Sequence, residues 1–527
     1  MRFTLVQVCV GAAGVAALVY VGYLVSRLLA IVTEVRRMKK VLGDTPPGPR
    51  SFPILGNVLE LLAPRNGFWS KMVALVQKYA PTFRFWVGPN CFMVITHPSD
   101  FEYVLNNPKF NEKSSWYPLA QSALGTGLIV LGGEQWRRHR KAVAPSMHQQ
   151  IITQNVQMFY RKALDISEEV LSAAAQSGAT LDIKDFCNTV SMDAVCETIL
   201  SADLSSSREA LKRFVDAKNK SCDLVAYRVY NPWLLSDRVY SLTREAREVR
   251  RIEKLTDRFV DEVIAKKRDR DHVPSTAEPS PKRRSFLEHA LADATVAKLM
   301  NDEELREEAK AMVIAGEGSV ATAMSFTLLM LAMHPGVQKA VHQELEDVFG
   351  DDPDRPVTED EVPHLQYLER VVLETLRLFP IVAVFGRNCP EDIQLPSGCP
   401  APKDSQLLFF TYHMHRDPAW WPRPLEFDPD RFLPEQTHTR PPLCYAPFSA
   451  GPRSCIGQRY AMMYLKTALA TVLRRYDVHR APGDVHEVAD LPLEIGVILT
   501  MQGGFPLRVS RRQDAQSSAG IKSSVFK

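Results

Sequence analysis

From Phe3 to Val25 the chain carries no charged residue, and most positions are Val, Ala, Leu, Gly or aromatic. A helix rising about 1.5 Å per residue crosses the ~30 Å hydrocarbon core of a bilayer within such a run. Residues 1–25 therefore read as a transmembrane signal anchor. The competing reading is a cleaved signal peptide, with Ala16-Ala17 feeding the cleavage site, but the run outlasts the usual apolar region of about 7–15 residues. It also lacks the Arg-rich, amphipathic character of a mitochondrial presequence. Arg2 precedes the run, and Arg27, Arg36, Arg37, Lys39 and Lys40 follow it. That excess of positive charge keeps the downstream chain in the cytosol, as expected for a single-pass protein of the endoplasmic reticulum membrane. Residues 26–50 are basic and then proline-rich, ending in Thr45-Pro46-Pro47-Gly48-Pro49, and read as a stiff, extended hinge.

Past the hinge, apolar residues recur at helical spacing over 151–172, 186–200, 243–267, 303–334, 336–349, 364–379 and 456–475. Short strand-like runs lie at Phe83–Val87, Phe92–Ile95, Gln406–Phe410 and Ile495–Thr500. There is no internal repeat and no second large linker. The pattern predicts one large domain over 51–510, mainly α with small β-sheets. Lys266–Arg284 is polar, with a basic cluster at Lys282, Arg283 and Arg284, and reads as a solvated loop. Residues 511–527 read as a flexible polar tail.

Composition narrows the function. The 527 residues are 45% hydrophobic and 24% charged, enough for a sizeable buried core. A net charge of +3 is too small at this length to argue for nucleic acid as a partner. The nine cysteines contain no C-x-x-C pair, which fits neither a disulfide scaffold nor a closed zinc site. A body in a reducing compartment with mostly free, buried thiols is expected.

One cysteine stands apart. Pro447-Phe448-Ser449-Ala450-Gly451-Pro452-Arg453-Ser454-Cys455-Ile456-Gly457 is a glycine-containing loop leading straight into a helical run. A thiol just before a helix N-terminus meets free backbone N–H groups and the positive end of the helix dipole. Both favour the thiolate, the form that binds metal. Gly451 and Gly457 allow a tight turn or close approach to a flat ligand. An inert cysteine in a turn is the bland alternative, and these residues alone do not name a ligand.

Phe448, Gly451, Arg453, Cys455 and Gly457 fit F-x-x-G-x-R-x-C-x-G, which resembles the haem loop of the cytochromes P-450. The resemblance covers about Pro46 to Val509 and implies a P-450-type domain with Cys455 as the axial metal ligand. It implies further that Phe448 packs beside the sulfur, Gly457 borders the cofactor and Arg453 reaches a haem propionate. Trp136 and Arg140 are similar to the family's W-x-x-x-R helix, and Arg387 stands where the family often has another propionate-binding cation. Glu374-Thr375-Leu376-Arg377, followed by Arg431, resembles the family's buried structural triad. The cofactor implied is haem b.

The long helix from Asp302 departs from the pattern. The family reads A-G-x-acid-T-T/S; here Ala315 and Gly316 are present, but Gly318 replaces the acid and Ser319 the threonine. Glu317 lies one position early, about 100° around the helix. Ser319 retains a hydroxyl for relaying protons during oxygen activation, and Glu317 is the candidate proton source, with a solvent-facing or ion-paired role as its alternative. Gly316 and Gly318 are expected to loosen the helix.

Phe427–Glu435 and Thr96–Asp100 look like the animal family-4 branch, many of whose members hydroxylate fatty acids or related lipids. Some tether haem through a glutamate at the position of Ala315, so haem is expected to be non-covalent here. Substrate contacts are expected from Ser114–Ile129, Met312, Val313, Val382–Val384 and Ile495–Ile498. The resemblance implies a monooxygenase acting on a lipophilic substrate. Its electrons would come from NADPH through NADPH–cytochrome P-450 reductase, with a b-type cytochrome as a second donor. Arg137, Arg138, Lys141, Arg459 and Lys466 would form the basic docking face. The alternatives are a haem-thiolate isomerase or dehydratase acting on lipid peroxides without oxygen or NADPH, and a non-catalytic carrier.

Overall fold

The computed structural model describes residues 2–202, 208–271, 285–293, 296, 298–483, 485 and 487–512. Most of the expected loop at 266–284, including Lys282, Arg283 and Arg284, and most of the expected tail lie outside these residues. The helices that position the site are α1 (Arg2–Leu42), α2 (Arg65–Tyr79), α3 (Gly133–Val143), α4 (Val156–Ile166), α5 (Ile183–Leu200), α6 (Arg208–Tyr230), α7 (Arg244–Asp271), α8 (Asp302–Met333), α9 (Pro335–Phe349), α10 (Gln366–Leu378) and α11 (Gln458–Leu473). The strands are β1 (Thr82–Val87), β2 (Asn90–Ile95), β3 (Val384–Asn388), β4 (Gln406–Phe410), β5 (Tyr476–Arg480), β6 (Leu493–Ile495), β7 (Leu499–Met501) and β8 (Pro506–Arg511). The fold is mainly helical with small sheets, as the spacing predicts.

The first helix outruns its apolar segment. It continues to Leu42, so Arg36, Arg37, Lys39 and Lys40 occupy its last turns and only the proline segment is extended. Tertiary contacts support this extension. Arg37 pairs with Asp392 at 2.8 Å, and Met38 and Leu42 are buried against the body. Farther up, Leu18, Val19, Leu28 and Leu29 project away from all protein. Apolar side chains in that number need a non-aqueous surrounding, which makes the helix a candidate membrane anchor. The second helix apolar enough to span a bilayer, α8, is mostly buried inside the domain, so it is the core helix.

A capping box starts α8: the Asn301 side chain accepts from Glu304 N, and Glu304 accepts from Asn301 N. Glu304 also receives Arg138 at 2.8 Å, pinning α3 to the start of α8. From Val320 to Ala332 every α8 side chain is buried, because α5, α10 and α11 pack around it. Gly316 and Gly318 sit within an unbroken α8, with the Val195 side chain over Gly316 and the Lys218 ammonium over Gly318.

The main sheet runs β1-β2-β4-β3, with β2 parallel to β4 and the other pairs antiparallel. The expected strand at Ile495–Thr500 is instead the hairpin β6–β7, which pairs Ile495 with Leu499. Its turn, Gly496–Ile498, lines a large cavity. Helix α6 was not foreseen, because its apolar positions are broken up by Lys, Arg, Asp and Asn.

Candidate active site

Between α2, α6, α8, β3 and the β6–β7 hairpin lies a cavity of about 940 Å³ whose wall is mostly apolar. Its floor is the cysteine loop. Gly451 has φ 67°, and a Cβ there would lie 1.9 Å from the Leu105 carbonyl oxygen, so both the turn and the packing require glycine. Ser449 also takes a left-handed conformation, at φ 58°. Phe448 lines the cavity, and its carbonyl accepts from Cys455 N at 2.9 Å, which holds the loop closed. Gly457 has φ −90° and clashes with nothing in the protein; the space it leaves opens beside the sulfur.

Among the described residues Cys455 is the one exposed cysteine; Cys91, Cys187, Cys196, Cys389 and Cys444 are buried and all are free. The exposure of Cys455 is into the cavity, because the residue lines it. The helix-end argument for a thiolate is outweighed here. Burial raises the Cys455 thiol above its ordinary value, while the Gly457 N–H and the Arg140 charge pull the other way. Among the described residues no three His, Cys, Asp or Glu side chains cluster to hold a metal ion.

Four cations surround the sulfur's side of the cavity. Arg140 lines it and donates to Ser454 O at 2.9 Å, tying α3 to the cysteine loop. Arg387 lines it from β3, and Arg453 stacks 3.9 Å over the Trp136 ring. The fourth, Lys113, was missed by sequence reading. It bridges by backbone to Arg387 and lies within 4.5 Å of the Tyr117 ring. Burial, with repulsion from Arg387 and Arg453, holds its ammonium well below the usual lysine range. Burial likewise lowers Arg453 to about 10. Among the described residues no carboxylate lies within ion-pair distance of any of the four, and Arg453 Nη2 is buried without a partner. Cations gathered at such a cost are suited to bound anions, and the carboxylates of a haem are of that kind. The residues present fit the group: one sulfur, four convergent cations, an unpaired donor and a large apolar void.

The triad forms behind the loop. Glu374 and Arg377 are wholly buried and doubly bonded, at 2.6 and 2.8 Å. Arg431 approaches Glu374 at 3.4 Å as an ion pair and spends its hydrogen bonds on the Pro422 and Arg423 carbonyls. Arg377 also donates to His415 O, and His415 Nε2 accepts from Ala446 N, which carries the order into the cysteine loop. Burial pushes the His415 imidazole down to about 3, so it stays neutral and can accept.

On α8, Ala315, Gly316, Gly318 and Ser319 line the cavity. Ser319 Oγ donates to Ala315 O at 2.7 Å, leaving its lone pairs free to accept. Glu317 is wholly buried and pairs with Lys218 of α6, so of the two alternatives for it the ion pair holds and its carboxylate is turned away from the cavity.

Two other expectations need correction. Val313 is core, with no exposure, and Ser114 bonds Gln406, so neither lines the cavity. Leu128, Ile129, Met312, Val382, Val384 and Ile498 do, together with Phe68, Met72, Val225 and Tyr230, which were not foreseen because α2 and α6 were not. Lys466 is buried and bonds Glu369 at 2.7 Å, and Arg138 is held by Glu304, so neither is a free surface cation.

Known proteins give the same picture. The human protein "Cytochrome P-450 4V2" is 30% identical over 513 residues, covering 95% of this chain and 96% of the relative. The German cockroach (Blattella germanica) protein "Cytochrome P-450 4c21" is 32% identical over 438 residues, 82% and 87% of the two chains. The Drosophila melanogaster protein "Cytochrome P-450 4g15" is 28% identical over 534 residues, 88% and 92%. The family profile described as "Cytochrome P-450" matches residues 46–504, and with the cysteine loop, its cations and the buried triad in place, this chain belongs to the cytochrome P-450 family, as a monooxygenase of family-4 type.

Proposed function

We propose that the chain holds haem b without a covalent tether and oxidises a lipophilic substrate, a fatty acid or related lipid, with O2 and electrons from NADPH. The observation that carries this reading is the Cys455 sulfur facing a large apolar cavity, with Lys113, Arg140, Arg387 and Arg453 beside it. Cys455 is the iron ligand. Arg140, Arg387, Arg453 and the Trp136 indole hold the propionates. When bound, thiolate-ligated haem supplies oxygen activation and O–O cleavage. The chain's share is to exclude bulk water with the apolar wall, to hold the substrate through side chains such as Met312, Val382 and Ile498, and to manage protons at Ser319 Oγ.

In this reading the domain sits on the cytosolic face of the endoplasmic reticulum membrane, which the apolar run and the basic residues after it support, and NADPH–cytochrome P-450 reductase supplies electrons there, with a b-type cytochrome as second donor. Arg137, Lys141 and Arg459 are exposed basic residues suited to an acidic redox partner. The test is a carbon monoxide difference spectrum of the reduced protein, followed by NADPH- and O2-dependent oxidation of a lipid panel. Product formed without NADPH would instead support an isomerase or dehydratase.

Ala315 offers no carboxylate for an ester. Acidified organic extraction is therefore expected to release all the haem, and an acid-stable haem–protein adduct would contradict the assignment.

A further inference from the structure

The α8 turn at the site has lost the family's acid, yet it has a charged neighbour. A Cβ on Gly318 would stand 3.2 Å from Lys218 Nζ, so the ammonium fills the space that a side chain at 318 would enter. Lys218 is nearly buried, at 5% exposure, but it lines the cavity shared with Ser319. Glu317, by contrast, has no exposure even to the cavity, and its Oε1 has no partner. The counter-ion thus lies behind the lysine, and the cation faces the cavity. A second lysine, Lys184 of α5, also lines the cavity and donates to Thr500 Oγ1 at 2.8 Å. Burial and the neighbouring Lys218 charge lower it from its ordinary value. Asp182 and Asp185, exposed on the same stretch of wall, open this side to solvent.

We infer that Lys218, held over Gly318 by Glu317, supplies the proton that the family's acid would otherwise supply beside Ser319, with Lys184 as its link to solvent. This rests on the monooxygenase reading above. A Lys218 N–H breaks as its proton passes to a cavity water on Ser319; the amine left behind regains a proton from solvent by way of Lys184. No electrons move, and the ammonium is restored each turnover. Glu317 has a positioning role: its ion pair fixes the lysine over Gly318. The pair reverses the usual arrangement, with the cation at the cavity and the carboxylate in the core.

Four variants of the full-length haem protein test this: Lys218→Met, Lys218→Arg, Glu317→Gln, and Lys218→Met combined with Glu317→Gln. Melting temperature and haem content come first. Lys218→Met strands a buried carboxylate and is expected to melt several degrees lower, while the double variant recovers most of that loss. With reductase, NADPH and a turned-over lipid, the double variant is expected to release roughly tenfold more hydrogen peroxide per NADPH and to show a larger solvent deuterium isotope effect. Lys218→Arg keeps the charge beside Glu317 but cannot release a proton. It is expected to melt close to the wild type and still to leak hydrogen peroxide. A coupled Arg variant would show that the charge alone suffices and overturn the proton-donor role. A double variant coupled like the wild type, with an unchanged isotope effect, would reduce the pair to a structural latch and overturn the proposal. So would a Lys218→Met protein that is both stable and coupled. If the wild type uses no NADPH, the monooxygenase reading itself fails, while the melting cycle still reports on the pair.

Discussion

Replacing Cys455 by Ser yields a folded protein that lacks the thiolate-ligated haem spectrum and has no monooxygenase activity. The loop geometry predicts that the fold survives. It is held by backbone, through the Cys455 N to Phe448 O bond, and by Gly451 against Leu105, none of which uses the sulfur. The cavity and its four cations remain, so some haem enters, but a serine hydroxyl is a poor anionic donor at neutral pH and cannot replace the electron release of sulfur. Haem per chain, the reduced carbon monoxide spectrum and a melting curve check the three parts separately. An unaltered absorption profile in the serine variant would remove the basis of the assignment.

Glu374→Ala gives the second large effect, through stability. It leaves Arg377, with no exposure, carrying a charge whose remaining partners are carbonyls of His415, Pro424 and Glu426. Arg431 loses its ion-pair partner at the same time. Stranding a buried charge in this way costs about 3–5 kcal/mol, against a domain stability of about 5–15 kcal/mol. The variant is expected to accumulate without haem or to aggregate, because the segment from His415 to Ala446 that sets the cysteine loop loses its brace. Glu374→Gln, which keeps part of the hydrogen bonding, is expected to fall between the two. Haem content and thermal melts decide it; a fully haem-loaded alanine variant would show that the triad is dispensable.

Much of the site was legible because its chemistry is local. The cysteine loop carries its turn residue, cation and sulfur within eleven positions, and Glu374 and Arg377 are three apart on one helix face, where side chains meet by geometry alone. The helices with clean apolar stripes were placed to within a few residues. Lys113 was invisible for the opposite reason. An isolated lysine in a polar stretch has no pattern, and its value comes from Arg387 and Arg453, some 270 and 340 positions away. Lys466 failed the other way, since a lysine on a helix reads as surface until Glu369 is seen to cover it.

Sequence by itself determined the long apolar N-terminal helix, the helical class of the domain and the cysteine loop, because each follows from spacing along one segment. Only the tertiary structure decided what the charges do. It gathered Lys113, Arg140, Arg387 and Arg453 from separate elements into one cationic wall, turned Glu317 into the core and placed Lys218 at the cavity instead. The physical reason is that the cost of a charge depends on its neighbours and on its distance from water, and a folded chain sets both through contacts between residues far apart in sequence.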